Sequence, residues 1–471
     1  MFNKNQYRRF LSTGILSLAI GLSIPVIADD WSQFRGAKGD AKVTDFAAPS
    51  TWPKTLPEKW KLTVGDGVAT PSLVGDKLYV FARQGSSEVL RCVNMATGKE
   101  IWTEKYDSLG ADGPAAQYSG PRSSPAVASG KVLTVGVRGM VTCRDALTGK
   151  KLWQKDDFRG STPKFQVSSS PVIVGDLGIA QLGGQGNGAI VAYDLTTGEQ
   201  KWKVAADNPA YASLAVMDIS GGKYVAAMTE LKILVVDVSA GKEVWSTPFA
   251  SQGPGAYNAS TPVISGDTLI YSGGNRGTHA VKLSIESGKI IGKPLWDNKD
   301  KAVQFNTPIV KDGSLYALSQ NNELFCMDMN TGKLNWTSPA LASAGGGGGG
   351  RPGGQPGGQP GGAGNAQPGA QPAGQPGGGR PGGGQGGFGR PGGGRGGGGG
   401  RGGYGTVVDA GSVLMALTPS AELIIFSPNE KEYKEIAKIK VAGSSTYAYP
   451  VPIGKQLLVK DQDSVSLLNV N

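Results

Sequence analysis

The chain has 471 residues, with 47 Lys and Arg against 37 Asp and Glu, one His and three Cys. A single His leaves mechanisms built on imidazole acid–base or nucleophilic chemistry without their residue, and no Cys-x-x-Cys or similar ligand spacing supports a metal site. Three of the basic residues lie in 1–28 and five in 345–405; that leaves 39 basic against 37 acidic elsewhere, so no nucleic-acid-binding fold is expected.

The first 28 residues read as a signal peptide. Lys4, Arg8 and Arg9 make a positive leader, Leu11 to Ile27 an apolar stretch, and Val26-Ile27-Ala28 a small-residue cleavage site. The mature protein is therefore expected to be exported, periplasmic or extracellular, after cleavage near Ala28. No Cys precedes Cys92, so no lipid-modified N-terminus and no stable membrane anchor are expected. Residues Trp31 to Gly36 and the Pro-rich run to Pro57 read as a loop crossing a protein surface. Glu58 to Val64 has a strand pattern around Trp60 but no strands of its own before it.

From here a repeat takes over. Thr142 to Trp153 contains a small apolar residue, Asp two places later, Thr-Gly after that, and Trp four residues beyond the Gly. The skeleton returns at Cys92, Asn94, Thr97, Gly98 and Trp102, and again at Ala192, Asp194, Thr197, Gly198 and Trp202. It returns at Val235, Asp237, Gly241 and Trp245, and at Cys326, Asp328, Thr331, Gly332 and Trp336. One further region, fifth in chain order, Ser287-Gly288 to Trp296, keeps Gly and Trp with four extra residues between them. The Asp or Asn side chain can bind amides of the following turn, and a Gly such as Gly149 supplies the positive φ the turn needs. The Trp then buries a large ring against a neighbouring unit.

Upstream of the copies stand Thr70-Pro71, Ser124-Pro125, Ser170-Pro171, Thr261-Pro262 and Thr307-Pro308, each opening a strand where Pro loses no ladder bond. Each unit is thus four short antiparallel strands, and Trp60, Trp102, Trp153, Trp202, Trp245, Trp296 and Trp336 recur every 40 to 51 residues. This period predicts an all-β propeller. Six blades fall in 29–344 together with the N-terminal strand, and two in 406–471. The last of these lacks an outer strand, which the Trp60 strand supplies, so eight blades are expected, with seven as the fallback.

Between them, 345–405 holds 35 Gly with Pro, Gln, Ala and Arg351, Arg380, Arg390, Arg395 and Arg401. It cannot bury enough apolar surface to offset its ordering entropy, and a disordered spacer loop is expected. Cys92, Cys143 and Cys326 occupy one strand position in three different blades, too far apart to bridge, and read as small buried apolar groups.

These repeats, Asp-x-x-Thr-Gly-Lys-x-x-Trp at 145 to 153 with Ser/Thr-Pro at blade starts, resemble the PQQ-like (pyrroloquinoline-quinone-type) propeller family. That family holds quinoprotein alcohol and glucose dehydrogenases on one side and BamB-like exported proteins on the other. The resemblance implies fold first, because the matching residues are structural. The dehydrogenases resemble one another in a vicinal Cys-Cys disulfide, a calcium site and a catalytic Asp, and nothing here aligns with those. The expected function is a non-catalytic, monomeric envelope scaffold with a protein partner and no cofactor. The alternative is a PQQ-dependent oxidoreductase with calcium. The scaffold would hold its partner on the loop face or rim, whereas the alternative would bind its ligand through Arg122, Gln166, Tyr257, Asn258 and Asn306, which precede inner strands and are expected to converge on one mouth of the channel.

Overall fold

The structure, a computed structural model, describes residues 29–251, 257–341 and 403–471. The expected signal segment 1–28 and most of the Gly-rich stretch lie outside the described residues. Gly403 to Gly405, at the end of that stretch, are described and packed, with the Tyr404 ring stacked on Phe305 at 4.2 Å. These three residues, counted in the expected spacer 345–405, are therefore not part of a disordered loop.

Eight four-stranded antiparallel sheets form the ring expected of a propeller. Blade one is Ser72–Val74, Lys77–Gln84, Ser87–Asn94 and Glu100–Asp107. Blade two is Ala126–Ala128, Lys131–Val135, Val141–Asp145 and Lys151–Lys155. Blade seven follows the Gly-rich stretch directly, starting at Thr406–Ala410. Blade eight is assembled from both ends of the chain: Glu58–Thr63 pairs with Ser464–Asn469, placing Trp60 opposite Leu467. This closure leaves no sheet edge between the first and last units. The strand register also matches the repeat. Cys92, Cys143, Ala192, Val235, Ala280 and Cys326 each sit opposite the Trp of their own blade. The three thiols are buried and unpaired.

What joins the blades is a Trp resting on the next blade's turn. Trp153 Nε1 donates to Leu195 O at 3.0 Å and Trp202 Nε1 to Val238 O at 2.9 Å. Trp60, Trp102 and Trp296 do the same to Met95 O, Ala146 O and Met329 O. The indole face lies against the Gly of that turn. A Cβ on Gly198 would stand 2.6 Å from Trp153 Cγ, and Gly98, Gly149, Gly241 and Gly332 are crowded below 3 Å by Trp60, Trp102, Trp202 and Trp296. Trp153 and Trp336 are buried, whereas the other five rings are half-buried, shielded on the face that meets the next blade. In the turns that carry it, the Asp does the expected work. Asp145 Oδ1 accepts from Thr148 Oγ1 at 2.7 Å and from the Thr148 and Leu147 amides at 2.8 and 3.1 Å. These bonds hold its carboxyl below the ordinary range.

The fifth copy needs a correction. Its packing Gly is not Gly288 but Gly292, four residues before Trp296, where a Cβ would collide with Trp245. Gly288 sits at the tip of a hairpin lengthened by the extra residues, at φ +74 with open space around it.

The N-terminal segment does more than cross a surface. Trp31 bridges to Leu73, the Ser32 carbonyl accepts from Val127 N, Val43 N donates to Asp409 O, and Ala47 N to Gly454 O. It thereby touches blades one, two, seven and eight on the face where first and second strands turn. Arg35 is buried among the inner strands, with Nη2 on Pro308 O at 2.5 Å. The segment floors the central channel.

A candidate ligand funnel at the channel mouth

Each first strand is entered from the face opposite that floor, so the described residues just before these strands meet around the channel mouth. Just inside it stands a collar of hydroxyls. Thr70 N donates to Ser124 Oγ (3.1 Å), Ser124 N to Ser170 Oγ (3.0 Å), and Ser170 N to Ser213 Oγ (3.0 Å). Ser213 N then donates to Thr261 Oγ1 (2.9 Å), Thr261 N to Thr307 Oγ1 (3.2 Å), and Tyr449 N closes back onto Thr70 Oγ1 (2.9 Å). Six of the eight blades, one to five and eight, thus hand an amide at the start of the first strand to the next blade's hydroxyl. These otherwise unpaired buried N–H groups are satisfied between blades.

Above the collar opens a cavity of about 610 Å³. Its walls are aromatic. Phe165, Tyr211 and Tyr257 form one edge-to-face cluster with centroids 5.0 to 5.8 Å apart. Tyr118, Tyr447, Tyr404 and Phe305 form a second, linked by contacts of 5.1, 5.8 and 4.2 Å. Phe34, from the N-terminal segment, reaches the bottom of the cavity and packs edge-on to Tyr449 at 5.5 Å. Burial pushes the Tyr211 phenol up to about 12 and raises Tyr447 and Tyr449 as well, so the phenols are neutral hydrogen-bonding groups.

Arg122 is the one charged side chain among the described residues lining this cavity. It spans the two aromatic clusters: Nη1 donates to Phe165 O at 3.2 Å, and Nη2 to Tyr118 O at 2.9 Å and Ala115 O at 3.1 Å. Ala115 and Tyr118 belong to the short 3₁₀ helix Gly113–Tyr118. Burial lowers the Arg122 pKa from its usual value, though an arginine stays protonated.

The structure brings three of the five expected residues to the cavity, Arg122, Tyr257 and Asn306. Asn306 is tied down there, with Nδ2 donating to Leu318 O at 2.6 Å and Gly403 O at 3.1 Å. Gln166 and Asn258 are buried behind the walls as braces. Gln166 Nε2 donates to Asp112 Oδ1 at 2.8 Å, and Asn258 binds Thr229 O, Phe249 O and Arg276 Nη2. The chain's one His, His279, lies elsewhere, between Asp297 and the Tyr271 ring in blade five.

The family model of the outer membrane protein assembly factor BamB matches residues 86–338, more than half of the chain. The chain belongs to this BamB-type propeller family. A BamB of Yersinia pestis is 24% identical over 71% of this chain and 82% of its own length. A BamB of Burkholderia pseudomallei is 27% identical, over 44% of this chain and 63% of its own length. The quinohemoprotein alcohol dehydrogenase of Comamonas testosteroni is 28% identical over 67% of this chain and 47% of its own length. The chain thus spans about half to two thirds of the length of these last two relatives. Among solved structures, BamB from Moraxella catarrhalis superposes with a TM-score of 0.54 at 12% identity, covering 88% of this chain and all of the other. The Comamonas testosteroni dehydrogenase does so at 0.59 and 15%, covering 94% and 80%. At these identities the structural likeness speaks to the fold.

The donors at the funnel do not fit a calcium-held quinone. Calcium takes six to eight oxygens, carboxylates prominent among them. The described lining offers hydroxyls, amides and carbonyls but no Asp or Glu, and no group of three His, Cys, Asp or Glu occurs among the described residues. Among those residues, no helix is long and apolar enough to cross a membrane.

Proposed function

We propose that this protein is an exported, non-catalytic binding or scaffold protein of the bacterial envelope, holding a protein partner on its funnel-bearing face. The observation that supports this is the chemistry of the funnel: two aromatic walls and one cation, with no carboxylate or imidazole among the described lining residues. Oxidation of an alcohol needs a positioned base to take the hydroxyl proton. Recognition needs apolar rings with a few fixed polar groups, which is what the mouth presents. Leu109 and Leu231 stand 75% and 53% exposed on loops of the same face and extend its apolar surface. Relatives named as outer membrane protein assembly factors support the same reading.

The second reading, a PQQ-dependent oxidoreductase acting on alcohols or sugars with calcium, draws on the dehydrogenase relative. One experiment separates the two. A photo-crosslinking residue replaces Gln117, which lines the funnel, or Leu147, an exposed turn residue on the opposite face. A discrete envelope protein trapped from position 117 and not from 147 is the expected result. Dye reduction with alcohols or sugars on adding PQQ and calcium would overturn the scaffold reading.

A further inference from the structure

The collar leaves hydrogens unassigned in a telling way. The hydroxyls of Ser124, Ser213 and Thr261 each accept an amide from the neighbouring blade. None of the three donates to a protein acceptor among the described residues, yet all three line the cavity. A hydroxyl whose acceptor side is engaged presents its O–H to whatever fills the space. Thr406 lines the same cavity, and its buried Oγ1 has no hydrogen-bond partner.

The charges point the same way. Arg122 is bonded to three carbonyls, and among the described residues no carboxylate lies within 4 Å of it; Nε–H and one Nη1–H remain for a ligand. Beneath the collar, Arg35 binds one carbonyl, Pro308 O, its Nε is buried without a partner, and again no described carboxylate lies within 4 Å. Arg122 and the hydroxyl donors, with no carboxylate among the described lining residues, make a throat complementary to an anion; Asp66 acts on Arg122 only from beyond ion-pair distance, and Arg35, outside the cavity lining, has Tyr449 and Asp40 as its electrostatic neighbours. The walls add a second requirement. Since Arg122 spans both aromatic clusters, an anionic group seated on it carries the rest of its molecule between Phe165 and Tyr257 on one side and Tyr118 on the other.

We propose that the funnel binds a carboxylate borne on an aromatic or large apolar body, with Arg122 and the collar hydroxyls holding the carboxylate and the ring clusters holding the body. The source is a free aromatic acid or the C-terminus of a polypeptide. This deepens the binding function proposed above and rests on it only in that the funnel holds a ligand.

The test is calorimetric titration of the full purified chain with N-acetyl-L-phenylalanine and its neutral amide, Ala-Ala-Phe with a free or amidated C-terminus, acetate and phosphate. The acid form is expected to bind at least ten-fold more tightly than its amide. Arg122→Gln should erase that preference, and Arg122→Lys should keep part of it. Binding of the tripeptide acid alone assigns the source to polypeptide termini, and binding of the amino acid derivative alone to free acids. Equal binding of acid and amide, or none of either acid at millimolar concentration, overturns the inference. Acetate or phosphate binding as tightly as the aromatic acids overturns its apolar half. Should Arg122→Gln fail to fold, Tyr257→Ala serves instead: it should weaken acid and amide alike while leaving their ratio intact, and unchanged affinity would refute the aromatic wall. A partner still crosslinked at position 117 while every acid fails would sink this inference and leave the scaffold function standing.

Discussion

Glycine in the blade turns carries two burdens, and the fifth blade separates them. Gly198 lies at φ +72 and faces the Trp153 ring, with Cγ, Cδ2 and Cβ all within 3.0 Å of where a Cβ would be. Gly288 keeps the positive φ, +74, with nothing within 4 Å, while Gly292 keeps the Trp contact without the positive φ. Three alanine substitutions therefore read the terms apart. Gly288→Ala should cost about 1–2 kcal/mol, the usual penalty of a left-handed non-Gly residue. Gly292→Ala should cost about 1–3 kcal/mol, the range for forcing volume into a packed contact. Gly198→Ala meets both. The Trp153 ring cannot retreat freely, since its Nε1 is bonded to Leu195 O and the ring packs on Tyr193 at 5.7 Å. A loss of about 2–5 kcal/mol follows if the two terms add. Equilibrium urea unfolding followed by tryptophan fluorescence, with a common slope for all three variants, measures the differences. If Gly198→Ala falls within about 0.5 kcal/mol of Gly288→Ala, the inter-blade contact imposes no steric demand and the reasoning is wrong.

Three further outcomes are expected. Trp153→Ala should cost about 3–5 kcal/mol, as for other buried Trp truncations; a melting change under a degree or two would contradict the inter-blade register. Replacing 342–402 by a short Gly linker should leave melting unchanged, because both ends are already pinned to one residue, Leu341 N on Asn322 O and Gly403 N on Asn322 Oδ1. Extending the cut through Tyr404 should lower it, and a failure to fold with the shorter cut would show that the stretch is structural. Burial pushes the Cys92 thiol up to about 11 and Cys143 to about 12, so a thiol reagent at pH 8 should label neither until denaturant is added. The folded thiols hold their protons more tightly than unfolded ones. Stability should therefore fall as pH rises above the ordinary thiol value near 8.5, and labelling of the native protein would refute their burial.

The ring itself was legible because its sequence code is local. The Cys143 to Trp153 spacing sets one hairpin, and that hairpin recurs with its register intact. Inter-blade packing is not written in that spacing: the next blade's Gly as the partner of the first six repeat Trp residues, and Asn429 O as that of Trp336, are visible only in the structure. In blade five the visible Gly288 lay at the expected turn, while the packing residue was Gly292. The collar was half visible as the Ser/Thr-Pro starts. Ser213 escaped because Leu214 follows it, and blade eight uses Tyr449 instead. Polarity before the inner strands points to Arg122 but not to Tyr118, Phe165, Tyr211, Phe305, Tyr404 and Tyr447, which form the walls. The available signal was an aromatic residue recurring in the loops before inner strands. Nothing in the pattern of Trp31 to Gly36 announced that a charged residue, Arg35, would end among the inner strands.

The placement of that segment ties the funnel to the closure of the ring. One stretch of chain first floors the channel with Phe34 and Arg35, then supplies the outer strand Glu58–Thr63 that completes blade eight. Blade eight in turn provides Tyr449, whose amide bonds to Thr70 Oγ1 and whose ring meets Phe34. Floor, collar and final blade are therefore parts of one cooperative contact set. A change that loosened the Trp60 strand would reach the funnel through Tyr449, although Trp60 itself lies at the outer edge of the ring. The loops above can vary in length, as the 341–403 connection does, without moving that base. Such a division suits a binding protein: a throat fixed by backbone amides and hydroxyls, under walls whose side chains set what it holds.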